Sequence, residues 1–287
     1  MYPAPFEYHR AASVKDALAM LARFGDDAKL LAGGHSLIPM MKLRLAQPAH
    51  LIDIGGIREL AQIREDGGKI VIGGLATHHQ VETSPIVGSK LKMLAECAAV
   101  IGDMQVRNRG TIGGSLAHSD PAADYPAAVL ALEAEMRVEG NGGARTIKAE
   151  EFFIDLMTTA VQHGEMLTHV SIAPIAAGAG ASYLKHRQPA SGFATVGVAA
   201  IVALDAHGQC ARVRVGITGL GPKAFRARAV EAALTGKAPA AIKEAAAHAA
   251  DGIDALSDIH AAADFRCELA RVYTRRALEQ AVARAKA

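Results

Sequence analysis

Two pairs of glycines, each followed closely by a serine, are the residues of this sequence best suited to chemistry. Gly33–Gly34 precede Ser36, and Gly113–Gly114 precede Ser115. A diphosphate needs converging N–H donors, and consecutive backbone amides converge on it where no Cβ blocks the approach. Each serine adds a hydroxyl, and charge-assisted bonds of this kind contribute about 1.5–3 kcal/mol each. The sequence therefore predicts two backbone segments that bind a diphosphate.

Neither glycine pair belongs to a common nucleotide-binding signature. Neither fits the GxGxxG that follows the first strand of a dinucleotide-binding unit, nor the GxxxxGK[ST] of P-loop NTPases. Three further pairs, Gly55–Gly56, Gly73–Gly74 and Gly142–Gly143, are predicted to be plain turns. The binding hypothesis thus rests on two particular segments.

The first segment is predicted to lie between a strand and a helix. Helical spacing of apolar residues predicts a helix from Ser13 to Phe24, capped by Ser13 and ended by Gly25. The run KLLAGG predicts a short strand that leads directly into Gly33. The apolar and basic stretch Leu37–Leu45 predicts the following helix, whose N-terminus would favour an anion.

The second segment belongs to a different unit. A helical pattern from Pro85 to Ile101 gives way at RNRGTIGGS to what is predicted to be a second glycine-bearing loop. Strands are predicted at HLIDI, KIVIGGL and MLTHVSIA, with a hairpin around Asn141-Gly142-Gly143. Strands that alternate with helices in this way favour α/β or α+β layering.

The last third of the chain has a different pattern. A boundary is predicted at the small-residue stretch from Ala176, which divides the chain into domains 1–176 and 177–287. Three extended runs, ASYLKHR, ATVGVAAIVAL and ARVRVGITGL, suit an antiparallel sheet. The helices predicted beyond them are Arg228–Leu234, Ala240–Ala250 and Ala263–Ala285. This domain therefore reads as a small sheet covered by helices.

Composition excludes several classes of protein. The net charge of +2 and the absence of a basic, aromatic cluster argue against a nucleic-acid partner. The sequence has no long apolar run of the kind that predicts a membrane span, and no secretory signal is evident, so we expect a cytoplasmic protein. Cys97, Cys210 and Cys267 form no CxxC pair, which predicts buried reduced thiols rather than a zinc or iron–sulfur site.

Two stretches resemble a known family. KLLAGGHSLIPMMKLR, from Lys29, and QVRNRGTIGGSLAHSDPAADYPA, from Gln105, closely resemble the flavin subunit of the molybdenum hydroxylases, whose best-known three-subunit member is aerobic carbon monoxide dehydrogenase. The resemblance extends over essentially the whole chain. It implies an α+β fold, with a two-part FAD-binding domain of the vanillyl-alcohol oxidase (PCMH) type followed by a small antiparallel sheet-plus-helices domain.

The resemblance also implies a set of FAD-binding residues. In the first FAD segment these are Leu30, Leu31, Ala32, Gly33, Gly34, His35, Ser36 and Leu37, and in the second Thr111, Ile112, Gly113, Gly114 and Ser115. Single positions outside the segments are Ile101, Asp124, Leu167, Lys185 and Phe193.

The single positions have different implied roles. Asp124 would accept from a ribose or adenine donor, although an acid that caps the helix near Pro126 is the structural alternative. Lys185 would stabilise negative charge on the reduced ring, and Phe193 would stack on the isoalloxazine. As candidates for metal or acid–base chemistry, His35, His78, His79 and His118 have no partner at a suitable spacing and are predicted to be surface or loop histidines rather than metal ligands.

The implied function is that of a FAD-carrying electron-transfer subunit in a complex. A molybdenum cofactor in a large subunit would oxidise the substrate, and [2Fe–2S] clusters in a small subunit would pass electrons to FAD here, for release to a quinone or another acceptor. A dimer of heterotrimers is expected, with no catalytic side chain in this chain. The alternatives are a stand-alone flavin oxidase of the same fold and a non-catalytic scaffold. The substrate stays open among carbon monoxide, aldehydes, purines and other heteroaromatics.

Overall fold

Helices and strands alternate through the computed structural model, which describes residues 1–286. The strands are β1 (Glu7–Arg10), β2 (Ala28–Leu31), β3 (His50–Asp53), β4 (Ile63–Asp66), β5 (Lys69–Gly73), β6 (Glu135–Gly140), β7 (Gly143–Lys148), β8 (Phe153–Asp155), β9 (Thr158–Thr159), β10 (Met166–Ile172), β11 (Ala179–Arg187), β12 (Ala194–Leu204), β13 (Cys210–Thr218) and β14 (Phe225–Arg226). The helices are α1 (Val14–Phe24), α2 (Leu37–Lys42), α3 (His78–Thr83), α4 (Pro85–Lys90), α5 (Lys92–Ala99), α6 (Met104–Arg107), α7 (Ile112–His118), α8 (Tyr125–Ala131), α9 (Ala149–Phe152), α10 (Arg228–Leu234), α11 (Ile242–Ala246) and α12 (Ala263–Ala285).

Three parallel strands form the first sheet, in the order β1-β3-β2, which we call the parallel sheet. Helix α1 packs against it, with Leu18 and Ile52 buried in the same apolar cluster. As predicted, the Ser13 side chain caps this helix, and Gly25 ends it with a positive φ of 60°. Strand β2 leads directly into Ala32–Ser36, so this sheet positions the first predicted segment.

Five antiparallel strands form the second sheet, in the order β4-β5-β10-β6-β7. The β4–β5 hairpin turns at Gly67 and Gly68, which have φ values of 55° and 77° that favour glycine. Helices α3, α5 and α8 contribute to the main apolar core with this sheet, through residues such as Val81, Leu94 and Leu130. The two sheets form the two parts of the predicted FAD-binding domain.

The C-terminal sheet has the order β11-β12-β13-β14 and is antiparallel, as predicted. Its strand β12 is buried on both faces. Val196 and Val198 pack towards α10–α12, whereas Ala199 belongs to the core shared with the five-stranded sheet. Because successive side chains of a strand point to opposite faces, this alternation places the sheet between two apolar layers.

Helix α12 spans 23 residues and is the long closing helix that the sequence predicts. Ala277, Leu278 and Ala281 are buried against the C-terminal sheet, while Arg276 and Glu279 are exposed on its other side. Within residues 1–286, no helix combines the length and the apolar character needed to cross a bilayer.

The α+β fold and the positions of most elements are confirmed, but one local prediction is wrong. Gly113 and Gly114 lie in the first turn of helix α7 rather than in a loop. The Thr111 side chain accepts a hydrogen bond from the amide of Gly114 and so caps this helix. A good N-cap stabilises a helix by about 1 kcal/mol, which offsets the low helix propensity of a glycine.

Candidate cofactor-binding site

A cavity of about 610 Å³ lies among the parallel sheet, the five-stranded sheet and helix α7. Apolar side chains from several elements line it, including Leu30, Ile101 and Leu167. Among the described lining residues, Lys29 is the one lysine or arginine. An anion bound in this cavity therefore has to be stabilised mainly by backbone and neutral side-chain donors.

The first glycine segment supplies such donors. Gly33, Gly34, His35 and Ser36 line the cavity, and within residues 1–286 none of their four backbone amides donates to a protein acceptor. Gly34 has a φ of 79°, a left-handed conformation that favours glycine. Successive amides that include such a residue form a concave anion-binding site. This segment is therefore suited to bind a phosphate group.

Gly33 is required by contact with another part of the backbone. A Cβ at position 33 would lie 2.2 Å from the carbonyl oxygen of Arg109 and 2.9 Å from the Cα of Gly110. Real Cβ atoms do not approach an oxygen so closely, so a side chain at position 33 would force the backbone apart. The reason for glycine here is the packing of the first segment against the residues that precede Thr111.

The second glycine segment has no comparable set of free amides. The Ile112 amide donates to the Ala76 carbonyl oxygen at 3.0 Å, and the Gly113 amide donates to the Gly74 carbonyl oxygen at 2.9 Å. The Gly114 amide donates to the Thr111 hydroxyl at 3.1 Å. These three amides are therefore not free in the described chain, and binding of a diphosphate by this segment stays a prediction. Its Ser115 nevertheless lines the cavity, as do Gly113 and Gly114.

His78 begins helix α3 and also lines the cavity. Its side chain is buried, so the prediction of a surface or loop histidine is wrong at this position. Its amide donates to the Gly110 carbonyl oxygen at 2.9 Å. Burial lowers the pKa of His78 to about 4, and the positive charges of His35 and Arg107 add to the effect. The ring is therefore neutral at neutral pH.

A buried ion pair lies on another side of the cavity. Asp124, a lining residue, accepts hydrogen bonds from the Tyr183 hydroxyl at 2.6 Å and from the Lys185 ammonium at 3.0 Å. The Lys185 ammonium also donates to the Gly192 carbonyl oxygen at 2.7 Å. Burial raises the pKa of the Asp124 carboxyl, while Lys185 and Tyr183 oppose that rise. The side chain of Asp124 makes no helix-capping bond, so the capping alternative is wrong.

Comparison with known families identifies the kind of cavity. Residues 4–174 match the family described as the FAD binding domain in molybdopterin dehydrogenase, and residues 181–281 match the CO dehydrogenase flavoprotein C-terminal domain. The chain belongs to the molybdopterin dehydrogenase FAD-binding family. The predicted family resemblance is confirmed, and FAD is the cofactor of this molybdopterin dehydrogenase flavoprotein.

Relatives of this flavoprotein cover its whole length. It is 43% identical over 288 residues to the carbon monoxide dehydrogenase medium chain of Hydrogenophaga pseudoflava, with 99% of each chain covered. It is 38% identical to the 6-hydroxypseudooxynicotine dehydrogenase complex subunit alpha of Paenarthrobacter nicotinovorans, over 100% of this chain and 97% of that one. A solved carbon monoxide dehydrogenase structure from H. pseudoflava superposes with a TM-score of 0.96 at 44% identity, covering 99% of both chains. The flavoprotein is thus an oxidoreductase subunit, the medium FAD chain of a molybdenum hydroxylase-type complex.

Most of the residues predicted to bind FAD come together around the cavity of this flavoprotein. Those that line it are Leu30, Ala32, Gly33, Gly34, His35, Ser36, Leu37, Ile101, Thr111, Gly113, Gly114, Ser115, Asp124, Leu167 and Phe193. Because these residues come from distant parts of the chain, their convergence fits a cofactor as extended as FAD. Their individual roles stay predictions.

Three of the predicted residues lie elsewhere. Leu31 and Ile112 are not among the lining residues, and Ile112 is fully buried in the main core. Lys185 lies behind the cavity wall, where it contacts Asp124 and Gly192, which do line it. Asp124 and Gly192 therefore lie between Lys185 and the cavity, so Lys185 is farther from a cofactor there than the family motif implies.

Sequence reasoning missed part of the wall of the flavoprotein cavity. Gly74, predicted to lie in a plain turn, lines the cavity and accepts the Gly113 amide through its carbonyl oxygen. A Cβ on Gly113 would lie 2.5 Å from that oxygen. The signal was present as a third glycine pair, Gly73–Gly74, but nothing in the local sequence distinguishes it from a turn.

Proposed function

We propose that this chain carries electrons from the [2Fe–2S] clusters of a partner subunit to a quinone or another acceptor. The observation that carries the proposal is a cavity lined by the four unpaired amides of Gly33–Ser36, in a chain whose family binds FAD. FAD, when bound, accepts and releases one or two electrons. The protein has to hold the cofactor, orient it and tune its electron affinity.

The amides of Gly33–Ser36 are proposed to hold the pyrophosphate. They donate to no other acceptor in the described chain, so a phosphate oxygen would satisfy them without displacing an existing bond. The Ser115 hydroxyl lines the same cavity and would add a further donor. The carboxylate of Asp124 would accept from a hydroxyl or amine of the nucleotide, while Tyr183 and Lys185 hold it in place.

The remaining residues are proposed to surround the ring system. Ile101 and Leu167 offer apolar contacts, and Phe193 is 43% exposed in the chain alone and free to stack on a ring. The ammonium of Lys185 lies behind Asp124 and Gly192 and would stabilise negative charge on the ring through the local field. No side chain is assigned the role of a nucleophile or of an essential acid or base.

The proposed partners are a large subunit with a molybdenum cofactor and a small subunit with [2Fe–2S] clusters, assembled as a dimer of heterotrimers in the cytoplasm. The relatives support this, because their names describe medium chains and subunits of dehydrogenase complexes. Those names also differ in substrate, which supports a substrate site in another subunit. We further propose a division into domains at residue 176, supported by family matches that end at residue 174 and begin again at residue 181.

The test is reduction of the bound flavin by substrate, measured as the loss of the visible absorbance of the flavin. The chain would be purified alone, and again after co-expression with the proposed large and small subunits. We expect a yellow protein in both cases, with the flavin bleached by substrate only when both partners are present. Omission of the small subunit should block the bleaching while leaving flavin content unchanged.

Two other outcomes separate the alternatives. Rapid bleaching of the isolated chain by a substrate, with no partner present, would replace the proposal with a stand-alone flavin oxidase. A chain that stays colourless after incubation with excess FAD would indicate a scaffold instead. A variant with Gly142→Ala, at a hairpin turn remote from the cavity, provides the matched control for handling and folding.

A further inference from the structure

Three potential metal ligands meet at the start of two neighbouring strands of the parallel sheet. Glu7 and His9 belong to β1, and His50 begins β3. The parallel register pairs Glu7 with His50, and His9 follows two residues later on the same strand. Because side chains two residues apart share one face of a sheet, the register brings all three side chains to the same face. None of the three lines the FAD cavity.

The separations of their ligand atoms are close to those around a bound zinc ion. The distance from His9 Nε2 to His50 Nδ1 is 3.1 Å, and Glu7 Oε2 lies 3.7 Å from the first nitrogen and 3.5 Å from the second. Zinc keeps about 2.0–2.2 Å from imidazole nitrogens and carboxylate oxygens, which places tetrahedral ligands about 3.3–3.6 Å apart. The separation of 3.5 Å falls within this range, 3.1 Å lies just below it and 3.7 Å just above it, so small shifts would bring the three atoms to three corners of a zinc-sized tetrahedron.

The two imidazole rings are held in place by a third ring. Phe24, at the end of α1, stacks on His9 with a centroid distance of 4.6 Å and on His50 with a distance of 4.0 Å. The histidine side chains are 22% and 21% exposed, whereas that of Glu7 is 72% exposed. The nitrogens are therefore preorganised, and the carboxylate side of the cluster is open for a water or another ligand as the fourth group.

A simple hydrogen bond between the histidines accounts for one of these distances. It uses one N–H and one lone pair, and it does not account for the position of the Glu7 oxygen at 3.5 and 3.7 Å from the two nitrogens. A divalent cation would satisfy all three lone pairs together. Two nitrogens and one oxygen suit zinc and its neighbours in the transition series, whereas magnesium and calcium prefer oxygen ligands.

We propose that Glu7, His9 and His50 bind one zinc ion that fastens strand β1 to β3. The cluster lies at the amino ends of β1 and β3, and no residue of either strand lines the cavity, whose lining from this sheet comes from Lys29 and Leu30 of β2 and from Ile54 beyond β3. Ile54 lies four residues after His50, which corresponds to about 13 Å along an extended strand. The zinc ion therefore has a structural role in the sheet that carries the first glycine segment, and none of the residues that bind it lines the FAD site.

The experiment is a zinc titration of the full-length, tag-free chain by isothermal calorimetry, after removal of metals with a chelator. We expect one zinc ion per chain and no binding of magnesium at the same concentration. Glu7→Gln keeps the shape of an exposed side chain but removes its charge, and His50→Gln removes a nitrogen ligand. Each should weaken zinc binding by more than about tenfold.

Two controls keep a folding defect apart from a lost ligand. FAD content should be unchanged in both variants, because neither residue lines the cavity. His207→Gln, at an exposed turn, should bind zinc like the parent chain. Excess zinc should also raise the melting temperature of the parent, but not of the variants.

The proposal is overturned if the parent binds no zinc, or if it binds magnesium equally well. It is also overturned if Glu7→Gln and His50→Gln keep the zinc affinity of the parent, since the ion would then lie elsewhere. Should Glu7→Gln fold poorly, the tetrahedral absorption spectrum of cobalt bound to the parent chain and its loss in His9→Gln give a second reading of the same site.

Discussion

The two glycine segments contain the same residue types but use them differently. In the first, the amides of Gly33–Ser36 have no acceptor within residues 1–286, and Gly34 has the left-handed conformation that turns successive amides to one side. In the second, Gly113 and Gly114 lie in a capped helix turn whose amides are already bonded within the protein. The first segment therefore has donors available for a ligand, whereas the glycines of the second allow two backbones to approach each other.

This difference teaches that a glycine pair has to be judged by its amides and by its neighbours. Gly33 and Gly113 are each opposed by a carbonyl oxygen, of Arg109 and Gly74 respectively. A side chain on either glycine would act on the fold as well as on the ligand. Loss of FAD from a variant at Gly33 therefore has to be interpreted together with its change in unfolding free energy.

Acidification should have the largest of the effects predicted here, a fall in unfolding free energy that originates at His78, where the two glycine segments pack together. His78 bonds to Gly110, against which Gly33 packs, and its pKa is lowered from 6.5 to about 4 in the folded chain. The unfolded chain therefore binds one more proton between these values, so the stability linked to His78 is complete above pH 6.5 and is lost as the pH falls towards 4. The loss should amount to about 3 kcal/mol. Urea unfolding at a series of pH values measures it.

The matched variants are His78→Gln and the exposed His207→Gln. In His78→Gln the acid-linked loss of unfolding free energy should be smaller than in the parent by this amount, whereas His207→Gln should follow the parent. Identical pH profiles for the parent and for His78→Gln would show that the ring is not a buried neutral group.

Gly33→Ala should show that the first segment is limited by packing. Its Cβ would lie 2.2 Å from the Arg109 oxygen, so the two backbones must separate. We expect a loss of about 2 kcal/mol in unfolding free energy, together with loss of bound FAD. Gly142→Ala, where a Cβ meets nothing within 4 Å, should leave both unchanged. A Gly33→Ala chain as stable and as yellow as the parent would contradict the close approach.

Thr111→Ala should separate the role of the second segment from ordinary helix capping. The hydroxyl of Thr111 accepts the Gly114 amide at 3.1 Å, and Ser13 accepts the Asp16 amide at 3.1 Å at the start of α1. Loss of either cap, in Thr111→Ala or in the control variant Ser13→Ala, should cost about 1 kcal/mol of unfolding free energy. FAD affinity, measured by fluorescence quenching, should fall only in Thr111→Ala. Equal FAD affinity in both variants would remove the second segment from the site.

Hydrogen exchange should give the smallest but most direct signal. Addition of FAD to the cofactor-free chain should slow exchange at Gly33–Ser36, because free amides gain phosphate acceptors. The amides of residues 112–114 should change little, since they are already bonded. Peptide-resolved mass spectrometry can compare the two segments in one sample. Slowing confined to the second segment would reverse the assignment made here.

Local patterns predicted the elements well, because the signals that set them are local. The cap at Ser13, the glycine at position 25 and the three extended runs of the C-terminal sheet all lie within the segments they determine. The family motif also led to the right cofactor. What remained hidden depends on contacts between distant residues.

The hidden contacts have no signature in the neighbouring sequence. The Asp124–Lys185 pair spans 61 residues, and the histidines near β1 and β3 are 41 residues apart. Gly74 meets Gly113 only because the turn after β5 packs against α7. Spacing along the chain predicts which residues share an element, whereas these pairings follow from how the elements pack.

The burial of the C-terminal sheet on both faces has a consequence for dissecting the molecule. Ala181, Tyr183 and Ala199 belong to the same apolar core as the five-stranded sheet, and Asp124 takes its partners from β11. A fragment that ended at residue 176 would expose that core to solvent. It would also leave the Asp124 carboxylate without its partners Tyr183 and Lys185. Two sequence families meet in this chain, but because they share a core we expect neither part to be stable alone. An exchange of C-terminal parts between relatives would therefore also need matching changes on the face of the FAD-binding part against which they pack.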